Sequence, residues 1–214
     1  MISRRRFCEL ASVGAASISL PSILRAEANP RPSITVVGIG GGGIDIVEKL
    51  RGQLPPDRNI STYTASWSPN PKRMVDLDFA TGFSNPPSSV QAECIAGVVE
   101  QADTMILVAG IGGKGATDLT YQFASAAKET RARVVSVLVL PFPGEWKRVP
   151  RAQKAGNEIA GISDQTVFID NSWVGSPIPP KVSIASAIDG VNAVVVSLVS
   201  DMIRTRSTPV ALKL

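Results

Sequence analysis

The sequence predicts an α/β fold, a three-layer Rossmann-like parallel sheet with helices on both faces, and three observations carry that expectation. Short apolar runs such as Ile34-Thr35-Val36-Val37 and Met105-Ile106-Leu107-Val108-Ala109 alternate with longer amphipathic segments, the rhythm of strand and helix units. Some of these runs are continuously apolar, as expected for strands buried on both faces of a parallel sheet. Each strand then runs into a turn rich in glycine, proline or asparagine ahead of the next helix, which places every such turn at the carboxyl edge of one sheet, where open α/β sheets bind ligands.

The elements follow in order. From Ser33 to Leu50 the chain reads as a strand (Ile34, Val36, Val37), a glycine cluster (Gly38 to Gly43) and an amphipathic helix (Ile44, Val47, Leu50). Such a junction aims backbone N–H groups and the positive helix end at one place, which suits a phosphate. After a turn at Gln53 to Arg58, Asn59 to Thr64 is predicted as the second strand. Ser66 to Ser89, rich in Pro, Ser and Asn without a sustained period, reads as a long irregular loop. A helix from about Ser88 to Gln101 should bury Val90, Cys94, Ile95 and Val98, with Ser88 or Ser89 as its cap.

Met105 to Ala109 is the next strand. It leads into a second glycine-rich turn, Gly110 to Asp118, and a helix to about Thr130 with Leu119, Phe123 and Ala127 on one side. Val134 to Leu140 is a buried strand ending at Pro141-Phe142-Pro143-Gly144-Glu145-Trp146. A helix over about Pro150 to Gly161, a strand at Thr166 to Ile169 ending in Asp170-Asn171, and a helix over about Lys181 to Arg204 complete the body. In that last helix Ile184, Ile188, Val191, Val195, Leu198 and Met202 recur at helical spacing, apolar enough to lie centrally.

Composition narrows the chemistry. At 214 residues and 44% hydrophobic content the chain is large enough for one domain with a buried core. Its net charge of +4 is partly local, because the first 28 residues hold four arginines against two glutamates, leaving +2 for the rest. That balance argues against a nucleic-acid binder. With no histidine in the chain, Ser-His-Asp chemistry, Cys-His chemistry and every His-containing metal site are excluded. Catalysis would have to use carboxylates, lysine, arginine, backbone dipoles or a bound ion.

Residues 1–29 differ in composition from the body. Ser3-Arg4-Arg5-Arg6-Phe7, a mild apolar run from Leu10 to Leu24 and the small-x-small pattern Ala26-Glu27-Ala28 resemble a twin-arginine secretion signal, whose route carries folded proteins. The expectation is export to the periplasm, with membrane contact only transient and through this leader. The alternative is an amphipathic leader on a cytoplasmic protein. Cys8 lies in the leader, so a processed chain keeps only Cys94 and forms no internal disulfide.

Gly38-Ile39-Gly40-Gly41-Gly42-Gly43, then Gly110-Ile111-Gly112-Gly113 with Thr117, then Pro141-Phe142 with Glu145, then Asp170-Asn171, in this order on successive strand ends, resemble the nucleotide-binding domain of the tubulin/FtsZ family. The likeness is closer to bacterial FtsZ than to tubulin and covers about Ser33 to Arg204. It implies a tubulin/FtsZ GTPase-type fold over residues 30–204, followed by a tail at 205–214, and GTP or GDP as the bound nucleotide. The resemblance places Gly38, Gly40, Gly41, Gly42 and Gly43 at the α- and β-phosphates and wraps Gly110, Gly112, Gly113, Lys114, Gly115 and Thr117 round the polyphosphate. It brings Gly82 and Asn85 toward the γ-phosphate. Glu145 with Arg148 or Arg151 meets the ribose, and Asp45, Asn171 and Asn192 read the guanine, where acceptor and amide groups can pair with its edge.

The departures are as informative. In the second turn Lys114, Gly115, Ala116 and Asp118 stand where the family has Gly, Thr, Gly and Gly. Lys114 can supply phosphate-binding charge, and Asp118 repels phosphate unless it faces away or holds Mg²⁺. Relatives continue past the final helix into a loop that completes a neighbour's hydrolytic site, so the expectation is weak or absent hydrolysis, with self-association or an FtsZ-like partner. Two further readings stand beside this one. One is an exported scaffold or interaction module that kept the fold and lost the ligand; the other is a nucleotide- or dinucleotide-dependent enzyme. The pattern G-x-G-x-x-G at Gly38 to Gly43 fits a dinucleotide site, but the acidic residue such a site needs at the end of the second strand is missing from Asn59 to Ser66. Trp67, Trp146 and Trp173 lie near the turns, as covers of the site or as anchors.

Overall fold

The structure, a computed structural model, describes residues 32–54, 56–57, 59–67, 76–78, 89–171 and 183–206. The leader, Gly82, Asn85, Trp173 and the tail from residue 207 lie outside the described residues.

Among the described residues six strands form one fully parallel sheet: β1 (Ile34–Ile39), β2 (Ile60–Ser66), β3 (Leu77–Asp78), β4 (Thr104–Gly110), β5 (Arg133–Val139) and β6 (Gln165–Ile169). Their spatial order is β3-β2-β1-β4-β5-β6. The helices are α1 (Gly40–Arg51), α2 (Ser89–Val99), α3 (Lys114–Lys128), α4 (Val149–Ile162) and α5 (Ile184–Thr205), with a 3-10 turn at Pro143–Glu145 between β5 and α4. Because side chains alternate along a strand, each strand feeds two cores. Val37, Ile39, Met105, Leu107 and Leu138 pack with Ile95, Leu119, Phe123 and Ile159 of α2, α3 and α4. Ile34, Val36, Ile106, Val108, Val135 and Val137 pack with Ile46, Val47 and Leu50 of α1 and Val191, Val195 and Val199 of α5. The expected three layers are therefore present.

Sequence order runs outward from β1 to β2 and β3, then returns to β4 on β1's other side, so the topological switch point lies between β1 and β4. The register sets Gly38 opposite both Thr64 of β2 and Val108 of β4.

Several sequence expectations are corrected. The glycine cluster is no separate loop, since Gly40 to Gly43 form the first turn of α1; likewise Lys114 to Asp118 lie within α3. The stretch read as irregular from Ser66 contains the short strand β3. A half-buried carboxylate explains it: Asp76 Oδ2 accepts the Thr64 N–H at 2.9 Å and pairs with Arg51, which also donates from Nε to Thr62 Oγ1 at 2.9 Å. One side chain thus pins β3 to β2 and to the end of α1. In α2, Val90 is 58% exposed and Gln91 takes the inward position. In α5, Ile184 and Ile188 are exposed while Val191, Val195 and Met202 are buried, so the helix is central only from its second turn onward. It is the one described helix long and apolar enough to cross a membrane, and its buried face is part of the core beside α1.

At the sheet's amino edge Asp164 accepts the Val134 N–H at 2.8 Å and pairs with Lys128 Nζ at 3.1 Å. The backbone hydrogen bond, helped by Lys128 and opposed by partial burial, holds its carboxyl below the usual carboxylate range. A depressed pKa means stability that is present above the unfolded-state value and lost as pH falls through the folded one. Wild-type stability should therefore decline as pH drops below about 4. Asp164→Asn keeps an acceptor and removes the charge; it should cost about 1 kcal/mol at neutral pH, exposure having reduced the ion pair's share, and flatten that acid slope. Urea titrations at pH 7 and pH 3 that gave equal losses for the variant would refute the assignment.

Candidate functional site

The site is built at the switch point, and glycine geometry defines it. The Cβ positions of Gly38 and Gly43 are filled already: a methyl at Gly38 would sit 2.3 Å from Gly43 O, and one at Gly43 would sit 2.2 Å from Val108 O. These two let α1 rise directly off β1 and lie against β4. Gly40 has φ +70°, and its Cβ would lie 2.7 Å from Ala116 Cβ, so the first turns of α1 and α3 abut. By contrast, Cβ atoms on Gly41, Gly42, Gly110 and Gly113 would meet nothing within 4 Å. Packing does not explain these four glycines. They border open space between two helix N-termini.

The N-cap residues Ile39 and Gly113 supply no side-chain cap of their own, and neither first turn contains an acidic residue. Two partial positive ends therefore converge on that space, the arrangement that attracts phosphate. Lys114 opens α3 and is exposed. Gly112, at φ +104°, shapes the second turn, and its N–H donates to Thr117 Oγ1 at 3.2 Å. Thr117 is buried, so its hydroxyl holds the turn from beneath. Trp67, at the end of β2, covers the same turn: a Cβ on Gly115 would come within 3.3 Å of its Cβ.

The remaining predicted residues fall along the same edge. After β5, Glu145 accepts the Phe142 N–H at 3.3 Å and Arg148 Nη1 at 2.5 Å, which closes the 3-10 turn. This turn stacks on the second glycine turn, since a Cβ on Gly112 would lie 3.2 Å from Arg148 Cβ and O. Asn171, 2% exposed at the end of β6, donates from Nδ2 to Leu140 O at 2.7 Å, and its buried Oδ1 has no partner among the described residues. With strands about 4.8 Å apart, it stands about 14 Å across the sheet from β1. Asp118 instead borders a cleft of about 210 Å³ between α3 and α4, with Tyr121, Gln122 and Glu158. Among the described residues no group of three or more His, Cys, Asp or Glu could hold a metal.

Asp45 and Asn192 do come together. They border one cleft of about 550 Å³ between α1 and α5, joined there by Glu48, Lys49, Ile188 and Asp189. Its size is that of a small-molecule pocket. Asp45 lies three residues along α1 from Gly42, about 4.5 Å at the helical rise, so the cleft begins within about one sugar's length of the open glycines. Lys49 Nζ donates to Asp189 Oδ1 at 2.7 Å across it. The sequence reading missed Glu48, Lys49 and Asp189, although the signal was there: Asp45, Glu48 and Lys49 follow helical i, i+3, i+4 spacing, and Ile188 and Asp189 stand four and three residues before Asn192.

Fold and site together define a three-layer α/β domain of tubulin/FtsZ type, with paired glycine turns at its switch point. No protein-family model matches the chain. It is 28% identical over 157 residues to the cell division protein FtsZ of Mycoplasmopsis pulmonis, covering 67% of this chain and 40% of that protein. To the FtsZ of Pseudomonas putida it is 29% identical over 191 residues, covering 81% and 48%. The chain thus spans about half the length, or less, of the curated relatives it matches. Among solved structures, the empty FtsZ dimer of Methanocaldococcus jannaschii superposes with a TM-score of 0.70 at 20% identity, covering 85% of this chain and 57% of that one. A GTPγS-form TubZ protofilament from Bacillus thuringiensis gives 0.60 at 13%, covering 80% and 55%.

Proposed function

We propose that this chain is a divergent FtsZ-like protein that binds a guanine nucleotide. The observation that supports this most directly is the set of four glycines whose Cβ positions are open, set between two helix N-termini without an acidic residue in the first turn, beside the α1–α5 cleft. The phosphates lie against Gly41, Gly42, Gly110 and Gly113, with Lys114 adding charge. The nucleoside follows α1 into the cleft of Asp45, Asp189 and Asn192. Guanine offers adjacent N–H donors that suit a carboxylate and a carbonyl that suits an amide or ammonium donor. A bound Mg²⁺ would have phosphate oxygens as its main ligands, since the described residues bring no cluster of carboxylates to the turns. The FtsZ and TubZ neighbours, a dimer and a protofilament, support self-association as part of the same reading.

Hydrolysis by these 214 residues is proposed to be slow. Phosphoryl transfer needs a positioned water and charge stabilisation, each worth orders of magnitude in rate. Of the carboxylates nearest the turns in sequence, Asp45 lies in the α1–α5 cleft, Glu145 is tied to Arg148 and Asp118 borders the α3–α4 cleft, which leaves these three otherwise engaged.

Calorimetric titration with GDP and ADP tests the binding. GDP should bind and ADP should bind at least tenfold more weakly. Asp189→Asn should lower GDP affinity by roughly 10- to 100-fold, the worth of one charge-assisted hydrogen bond, with ADP little affected. Equal affinity for the two nucleotides would remove guanine from the assignment, and no heat with either would favour a scaffold that lost its ligand.

A further inference from the structure

The carboxyl edge carries a second feature that nucleotide binding leaves unused. The 3-10 turn after β5 displays Trp146 with 69% of its surface exposed, and Lys147 Nζ lies 5.2 Å from the ring centroid. An indole so exposed is unusual for a soluble domain, and here it is presented on a fixed base. Glu145 closes the turn by accepting the Phe142 N–H and Arg148, and Arg148 lies against Gly112.

Charge gathers at the same place. Residues 145–154 hold Lys147, Arg148, Arg151 and Lys154 against the single carboxylate of Glu145, a net +3 in ten residues when the whole chain carries +4. All four cations are exposed. Arg148 is engaged by Glu145 and Lys154 lies 4.0 Å from Glu158, whereas among the described residues neither Lys147 nor Arg151 forms an ion pair. Arg151 and Lys154 are three apart on α4 and so share one face.

We propose that this turn and the start of α4 form a docking surface for an anionic lipid membrane. An exposed tryptophan flanked by cations matches the chemistry of the lipid–water interface: the ring settles at headgroup level while the cations meet negative headgroups. The cation lying over the indole adds to the match, because Lys147 keeps positive charge at the depth the ring reaches. An acidic polypeptide could answer the charge, but an interfacial membrane also answers the exposed indole. The patch neighbours the second glycine turn through Arg148, so a membrane bound there faces the edge on which the nucleotide is placed. The inference does not depend on that placement.

The test uses the full chain with Arg4, Arg5 and Arg6 replaced by serine in every protein compared, so that the leader's cations contribute equally and minimally. Partition is measured by sedimentation with phosphatidylcholine vesicles, with and without phosphatidylserine. The patch should favour the anionic vesicles, and added salt should weaken the binding. Lys147→Ala with Arg151→Ala and Lys154→Ala should lower partition by on the order of 100-fold, about fivefold per cation. Trp146→Ser alone should lower it severalfold and abolish the blue shift of tryptophan emission on adding vesicles. These positions are exposed, and circular dichroism confirms that the variants fold. Undiminished partition of the triple variant would overturn the proposal. So would equal binding to neutral vesicles, or tight capture of polyglutamate by a protein that leaves the vesicles unbound.

Discussion

Gly41→Val will lower GDP affinity at least 100-fold, about 2.7 kcal/mol, while the protein melts within a few degrees of wild type. The first half follows from the ligand's approach. A phosphate held by backbone N–H groups at a helix N-terminus sits at van der Waals distance from the Cα atoms, and a branched side chain there occupies the ligand's volume. The second half follows from the structure: a Cβ on Gly41 meets nothing within 4 Å, and Gly41 is absent from the positions of positive φ. The Cβ of a valine at this position therefore strains no backbone and meets no neighbour. Its effect on folding should be small, because even a β-branched residue has a higher helix propensity than glycine and restricts the unfolded chain more. Gly113→Val, on the facing turn with the same open surroundings, should behave alike. A titration in which Gly41→Val and wild type bind GDP equally would move the phosphates away from α1. A loss of binding together with a loss of the melting transition would show that Gly41 serves the fold.

How much of this was legible beforehand depends on which physical signal each part leaves. The parallel sheet was legible because β1, β4 and β5 are buried on both faces and therefore read as continuous apolar runs. The strand β3 was not, because two residues carry no period; what holds it is Asp76 reaching back to Thr64 and Arg51, a long-range contact without local signature. The burial of α5 was read one turn too far, since Ile184 and Ile188 keep the helical spacing but lie exposed at its start. At the site, five glycines within six residues, Gly38 to Gly43, told that backbone must approach something closely. They could not tell which glycines serve packing and which border open space, because that depends on where Val108 O and Ala116 lie. For the same reason Asp45 was found without Asp189: the two are 144 residues apart and meet only because α1 and α5 share one face of the sheet.

That division of the glycines yields the other large effect. Gly43→Ala will destabilise the protein by about 3 kcal/mol or more, lowering its melting temperature by on the order of 10 °C, although alanine is the better helix former. The added methyl would lie 2.2 Å from Val108 O and 3.2 Å from Val108 C, backbone atoms in the middle of β4. Contacts below 3 Å must be relieved by movement. β4 cannot move, because it is paired along its length with β1 on one side and β5 on the other. The strain must then fall on α1, whose Ile44, Ile46, Val47 and Leu50 are at most 2% exposed and close the core against α5. Tilting α1 away would open that core, and interiors packed to crystal density absorb such shifts poorly. With a total stability of about 5 to 15 kcal/mol for a domain, a loss of this size leaves a measurable unfolded fraction in mild denaturant. Gly42→Ala, one residue earlier with nothing within 4 Å of its Cβ, supplies the control: the same change of residue in the same helical turn should be neutral or stabilise by up to about 1 kcal/mol. Thermal melts of the pair decide the matter. If Gly43→Ala and Gly42→Ala shift the transition equally, the close approach of α1 to β4 does not constrain the fold, and the separation of packing glycines from ligand-facing glycines fails with it.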